Sequence, residues 1–326
     1  MGKLPARDLF LALTPDRVLE AVEAAGFEPT GHVLALHCLE NRVYDLKLED
    51  NSHIVVKFYR PGRWSRKAIL EEHAFLFDLD EAEIPVCAPL RFDDGTTLRE
   101  VENILYAVWP RTGGRSPAEL DDEQIQMLGR LVARIHSVGD CRPFVDRRRL
   151  NGRTYGLEPL EYLTTHGFLP LQWSKRYARV VERLAGLYDE LAHGVPQHRI
   201  HGDCHHGNLL LGREGWFFLD FDDSVMGPAA QDLWLLVPDI DGEGVRQREV
   251  FVEAYCQFRP FESQWLRLVE PLRALRYVHY AAWIARRWQD PAFPEAFPHF
   301  NTEQYWEKET VDLEEQLLRC EERAAR

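Results

Sequence analysis

His201-Gly202-Asp203-Cys204-His205-His206-Gly207-Asn208 runs directly into Leu209-Leu210-Leu211, a turn at Gly212–Gly215, and Trp216-Phe217-Phe218-Leu219-Asp220. The two apolar runs read as the arms of a short hairpin that presents Asp203, Asn208 and Asp220 near one end. An amide oxygen at Asn208 and a carboxylate at Asp220 make a hard, oxygen-rich magnesium site. Asp203 is the candidate to accept a proton from an attacking hydroxyl.

Asp203 stands five positions before Asn208. Phosphoryl-transfer loops set a proton-accepting Asp and a metal-binding Asn at that spacing, with a second Asp on the next strand. A lone His-Gly-Asp is usually a surface loop. The full run, the second Asp and the downstream Gly227-Pro228-Ala229-Ala230-Gln231-Asp232-Leu233 together are far more specific. His201, Cys204, His205 and His206 carry zinc-ligand atoms. No second ligand cluster lies at a useful distance from them, and the apolar flanks call for strand.

The 326-residue chain has room for one large domain or two ordinary ones. Its hydrophobic content of 45% suffices for a sizeable core. With 39 Lys and Arg against 53 Asp and Glu, the net charge is −14. That balance repels nucleic-acid phosphates and anionic membranes, so neither is an expected partner. The six cysteines are scattered, with no C-x-x-C pair. There is no secretory h-region and no apolar run long enough to span a membrane. A reduced, soluble, cytoplasmic and monomeric protein is expected.

Upstream, Thr14 to Gly26 reads as a helix capped by Thr14 with Pro15 in its first turn. Three β-rich runs follow at Val33–Leu36, Arg42–Leu48 and Ile54–Tyr59, and Glu49–Ser52 suits a hairpin turn. A helix is expected over Ser65 to Leu79. Ile84-Pro85-Val86 and the stretch to Arg91 read as extended. A second hairpin is expected at Leu98–Val101 and Ile104–Trp109 across Glu102-Asn103. Residues 1–110 thus form a sheet carrying one helix, and the glycine-rich Pro110–Arg115 is a connector. Ser116-Pro117-Ala118-Glu119 matches a capping box opening the next helix. Residues 111–326 read as mostly helical, including Arg176–His193 and Pro271–Trp288.

Lys57 lies inside the apolar run Val55-Val56-Lys57-Phe58, where lysine is rare without a partner. Alone it also fits a sheet edge. Beside the downstream signature it reads as the strand lysine that grips nucleotide phosphates and pairs with a helix Glu. Glu72, Leu76 and Leu79 share one helical face, so Glu72 is the preferred partner, with Glu71 second. The turn His37–Arg42 has no glycine. Its backbone N–H groups or the Asn41 side chain are the candidate phosphate contacts. Asp222 and Asp223 extend the acidic cluster and read as solvated, with a second metal as the alternative, and the Arg147-Arg148-Arg149 run reads as a solvated loop rather than a recognition patch. Arg273, Arg276, Arg286 and Arg287 read as snorkelling from a core helix, with acidic-substrate binding as the alternative.

The His-Gly-Asp form resembles the aminoglycoside phosphotransferase and choline kinase branch of the kinase superfamily. The chain more narrowly resembles the bacterial stress response kinase A family. The matching stretches are Glu40–Tyr44, Val55–Pro61, Arg63-Trp64, His201–His205 with Gly207-Asn208, Gln231–Trp234, Glu270–Ala274, and Trp288 with Asp290–Pro294. They span nearly the whole chain.

The resemblance implies an α+β, bilobal protein-kinase-like fold with a small β-rich N-lobe (1–110) and a larger helical C-lobe (111–326). ATP would lie in the cleft, its phosphates placed by Lys57 and Glu72, with Ile104–Trp109 as the hinge strand. Magnesium would bind Asn208 and Asp220, and Asp203 would take the proton of a protein Ser or Thr hydroxyl, with autophosphorylation. Cys38 takes a place where Ser is expected near the ATP phosphates, and a thiol donates more weakly than a hydroxyl. Asp232 would brace the catalytic loop. Two alternatives share this site: a small-molecule alcohol kinase (amino sugar, choline or homoserine) and a non-catalytic nucleotide-binding regulator.

Overall fold

The computed structural model describes Phe10, residues 13–213 and residues 215–324. The chain divides into two compact units, Met1–Glu119 with Val145–Arg147 and His205–Asp223, and Leu120–Phe144 with Arg148–Cys204 and Ser224–Arg326. The first is sheet-rich and the second helix-rich, the α+β composition expected of a kinase-like chain.

In the first unit α1 (Pro15–Glu23) starts where Thr14 Oγ1 accepts from Arg17 N at 3.4 Å. Strands β1 (Pro29–Leu36), β2 (Arg42–Leu48), β3 (His53–Phe58), β4 (Arg99–Val101) and β5 (Ile104–Pro110) form an antiparallel sheet in the order β1-β2-β3-β5-β4. Alternation along β3 sorts its side chains. Ile54, Val56 and Phe58 enter one core with Val22, Leu46 and Val108. Val55 faces the other way, toward Tyr59, Ile69 and Trp109. Lys57 shares that second face by parity, opposite Val43 and Ala107, on a central strand rather than an edge. The β4–β5 turn puts Glu102 (φ 49°) and Asn103 (φ 68°) in the left-handed region, as a tight primed hairpin requires.

Helix α2 (Arg66–Glu81) is capped by Ser65 Oγ, which accepts from Ala68 N at 3.1 Å. It buries Ala68, Ile69, Glu72, Phe75, Leu76 and Leu79. Ile84 to Arg91 forms no strand, but Val86 bridges to Phe218. The apolar runs after Asn208 become the hairpin β7 (Leu209–Gly212) and β8 (Gly215–Phe218).

In the second unit α3 (Asp122–Asp140) begins later than the Ser116 signature suggests. The capping box belongs to Asp121 and Gln124: Asp121 Oδ1 accepts from Gln124 N at 2.9 Å, and Gln124 Oε1 accepts from Asp121 N at 3.1 Å. Ser116 instead donates its hydroxyl to His206 O at 2.6 Å within the first unit. After a π-turn at Arg153–Leu157 come α4 (Glu158–Thr165) and α5 (Leu171–Leu191). Then β6 (His198–Ile200) pairs antiparallel with β9 (Val225–Gly227). Gly139 permits β6 to approach α3, because a Cβ there would meet Arg199 O at 2.1 Å. Helices α6 (Ala230–Leu236), α7 (Gly242–Tyr255), α8 (Val269–Arg286), α9 (Ala292–Ala296) and α10 (Glu303–Ala324) follow. Among the described residues no helix is long and apolar enough to cross a membrane.

Candidate active site

Lys57 is the centre of a buried charge network in the first unit. Its Nζ lies 3.3 Å from Glu72 Oε1, 3.3 Å from Asp220 Oδ1 and 3.7 Å from Asp222 Oδ1. It also sits 4.9 Å from the Tyr59 ring and 5.4 Å from the Trp109 ring, within cation–π range. Burial works against its charge, but Asp222, Glu72 and Asp220 more than reverse that, and its pKa ends well above the ordinary lysine value. Lys57 is therefore a permanent cation. Glu71 does a different job, accepting from the backbone N–H groups of Val145, Asp146 and Arg147 at 2.7, 3.0 and 3.0 Å.

Two expectations of solvated charge are corrected here. Asp222 is 2% exposed, pairs with Arg63 and accepts from Asn41 Nδ2 at 2.9 Å. Burial alone would raise its carboxyl pKa, yet Arg63, Lys57 and Arg147 with the Asn41 hydrogen bond hold it well below the usual range. Asp223, less buried, takes Arg63 Nη2 at 2.5 Å. Arg147 is 5% exposed and donates to Ala68 O (2.8 Å), Asp222 O (2.9 Å) and Glu72 Oε2 (3.0 Å). Arg148 and Arg149 are exposed as expected. The sequence signal for Asp222 is its place in a short polar stretch between apolar Phe221 and Val225-Met226. For Arg147 there was none, since its partners are some 75 residues away in sequence.

The glycine-free β1–β2 turn is held by side chains. Asn41 N donates to Cys38 Sγ at 3.4 Å, and Asn41 Oδ1 accepts from Arg60 N at 3.0 Å. The Asn41 amide is thus engaged at both ends, by Asp222 and by Arg60. Burial pushes the Cys38 thiol pKa up. Cys38 and Asn41 both line a cavity of about 450 Å³ within this unit. Val43, Val55, Leu210 and Phe218 give it apolar walls, and Lys57, Asn208 and Asp220 give it a polar end.

Asp220 follows β8 with φ 54°, a conformation that costs a non-glycine residue about 1–3 kcal/mol and clusters at functional sites. Asn208 ends a short 3-10 turn, and its carbonyl accepts from Leu219 N at 2.9 Å, which ties it next to Asp220. Among the described residues no group of three or more His, Cys, Asp or Glu side chains could hold a metal ion. A carboxylate and an amide oxygen in a roomy cavity do fit magnesium, which takes few protein ligands and keeps water or phosphate oxygens.

Asp203 belongs to the second unit, in the loop after β6. Asp232 braces that loop: its Oδ2 accepts from His201 N at 2.9 Å and its Oδ1 from Gly202 N at 2.8 Å. His136 fixes Asp232 in turn, with Nε2 3.0 Å from Oδ2 and Nδ1 3.0 Å from Tyr255 Oη. Arg276, expected to snorkel from α8, places Nη2 2.6 Å from Asp203 Oδ1.

The fold and these constellations are those of a kinase-like phosphotransferase. The profile of the Phosphotransferase enzyme family matches residues 36–269. Stress response kinase A of Escherichia coli (strain K12) is 38% identical over 315 residues, covering 94% of this chain and 93% of that protein. The Serine/threonine protein kinase RdoA of Salmonella typhimurium is 38% identical over 308 residues, with the same coverages. The solved structure of amicoumacin kinase hAmiN, in complex with AMP-PNP, Ca2+ and Ami, aligns with a TM-score of 0.69 at 21% identity. That alignment covers 90% of this chain and 94% of the other. The chain belongs to the phosphotransferase enzyme family and, within it, to the stress response kinase A family.

Proposed function

We propose that this kinase transfers the γ-phosphoryl group of ATP to Ser or Thr hydroxyls of proteins, its own chain included. The observation that carries the reading is the cavity whose apolar walls suit a purine and whose polar end holds Lys57, Asn208 and Asp220. Lys57, kept cationic by Glu72 and its other carboxylates, binds α- and β-phosphate oxygens. Asn208 and Asp220 hold magnesium, which when bound neutralises the phosphate charge. Asp203 orients the acceptor hydroxyl and takes its proton as the oxygen bonds to the γ-phosphorus and ADP leaves. The names of the 38%-identical relatives favour a protein acceptor.

A small-molecule acceptor is the second reading, favoured by the fold shared with amicoumacin kinase. The test is transfer of radiolabelled γ-phosphate with magnesium, in wild type and Asp203→Asn, with and without a generic protein acceptor. Label on protein in wild type alone supports the proposal. ATP binding without protein label, together with saturable ATP use on a metabolite alcohol, overturns it in favour of the second reading.

A further inference from the structure

Helix α8 and its C-cap carry Arg276, His279, Tyr280, Trp283, Arg286 and Arg287 at spacings of three and four, so they share one face. Rings hold that face in place. Tyr155 stacks on His279 with centroids 4.3 Å apart, Arg286 lies 4.9 Å over Tyr162, and Arg287 lies 5.0 Å over Trp283. Burial, then the neighbouring guanidinium groups of Arg148, Arg286, Arg276 and Arg287, push the His279 pKa down to about 3. Four cations converge on an imidazole that stays neutral.

Two carboxylates lie near this face, and each forms its ion pair with an arginine other than Arg148 or Arg286. Asp203 pairs with Arg276 at 2.6 Å, and Glu158 with Arg153 at 3.3 Å. Among the described residues no carboxylate forms an ion pair with Arg148 or Arg286. The Arg286 pKa is lowered, by burial first and then by Arg148, and the opposing pull of Tyr162 and Glu158 offsets only part of this. An excess of positive charge on one helix face is unexpected in a chain of net charge −14.

We propose that Arg148 and Arg286, on the arginine face that begins at the candidate base, bind acidic side chains flanking the acceptor hydroxyl. This rests on the protein-kinase reading above and narrows it: the acceptor is a Ser or Thr in an acidic protein segment. Guanidinium forks match carboxylates two bonds at a time, and ring stacking orients them beforehand. A cationic alcohol such as choline meets the like charges of Arg148 and Arg286, so the same face selects against it.

The test uses fluorescein-labelled peptides with Ala at the acceptor position and Glu, Gly or Lys flanks, read by fluorescence anisotropy on the full chain. The Glu peptide is expected to bind at least about tenfold more tightly than the Gly peptide, with the preference shrinking as salt rises. Arg148→Gln/Arg286→Gln is expected to abolish the preference, and Arg148→Lys/Arg286→Lys to restore part of it. Equal binding of the Glu and Gly peptides by wild type overturns the inference without needing any variant. So does a preference that survives the double Gln variant. Ser versions serve in parallel as transfer acceptors. If the Glu peptide binds but its Ser version takes no phosphate, the anion-binding face stands and the protein-kinase reading falls.

Discussion

Arg147 Nη2 lies 3.0 Å from Glu72 Oε2, so the carboxylate that pairs with Lys57 is itself gripped from its other oxygen. Both side chains are buried. Removing one partner of a buried ion pair strands the other charge, at about 3–5 kcal/mol. Arg147→Met is therefore expected to lose stability of that order in urea unfolding and to raise the KM for ATP as Glu72 loosens. Arg147→Lys should recover little, because the planar fork also serves Ala68 O and Asp222 O. An Arg147→Met chain within about 1 kcal/mol of wild type would remove this role.

Asp222 gathers Arg63, Lys57 and the Asn41 amide around one carboxylate. Asp222→Asn keeps the shape and deletes the charge, so two buried cations lose a counter-ion. Expected losses are about 3 kcal/mol or more in stability and a weaker grip on nucleotide. The depressed carboxyl stabilises the fold above its unfolded pKa of about 3.9, and that contribution fades only as pH falls below it. The wild-type advantage over Asp222→Asn should hold across neutral pH and shrink only under strong acid. An advantage already gone at about pH 6 would contradict the assignment.

Arg276 and Asp203 are separated by 73 residues in sequence and 2.6 Å in space. If Asp203 takes the acceptor proton, Arg276 is a positioning residue that limits its rotamers. Arg276→Ala should lower kcat by about tenfold and leave the KM for ATP near wild type, whereas Asp203→Asn should cost about 10²–10⁴ in kcat. Arg276→Lys should restore part of the rate. A rise in the KM for ATP at constant kcat would instead place Arg276 in nucleotide binding.

Residues whose partners lie nearby or follow a periodic pattern were legible in the sequence. Lys57 stood out because apolar neighbours on both sides force it into the sheet, and Glu72 because it borders the α2 face marked by Leu76 and Leu79. The hairpin that carries Asn208 and Asp220 was legible from two apolar runs and a turn. Arg63, Arg147 and Arg276 were not, because each acquires its meaning from a carboxylate 73 to 159 residues away. The start of α3 failed for a different reason. Ser116-x-x-Glu119 and Asp121-x-x-Gln124 are successive signatures of similar local quality, and tertiary hydrogen bonding of Ser116 decides between them.

His198 on β6 is 2% exposed, and neither ring nitrogen has a hydrogen-bond partner. Its ring meets His136 edge-on at 4.7 Å. Burial, then His136 and Arg259, lower its pKa to about 2. Unfolded, the imidazole titrates near about 6.5, so below that pH the unfolded chain binds a proton that the folded chain refuses. Stability from this residue is complete above about pH 6.5 and drains as pH falls toward its folded value. At about pH 5.5 the penalty is about 1.4 kcal/mol, and at about pH 7.5 it is close to zero. His198→Leu removes the titration and the two orphaned nitrogens while keeping the volume. Urea unfolding should show that variant equal to or better than wild type at about pH 7.5, with about 1.4 kcal/mol of further gain at about pH 5.5. His73 and His279, also buried and depressed to about 3, keep titrating in both chains, so the difference isolates His198. A stability difference that does not change between the two pH values would show that His198 is not held neutral in the folded chain.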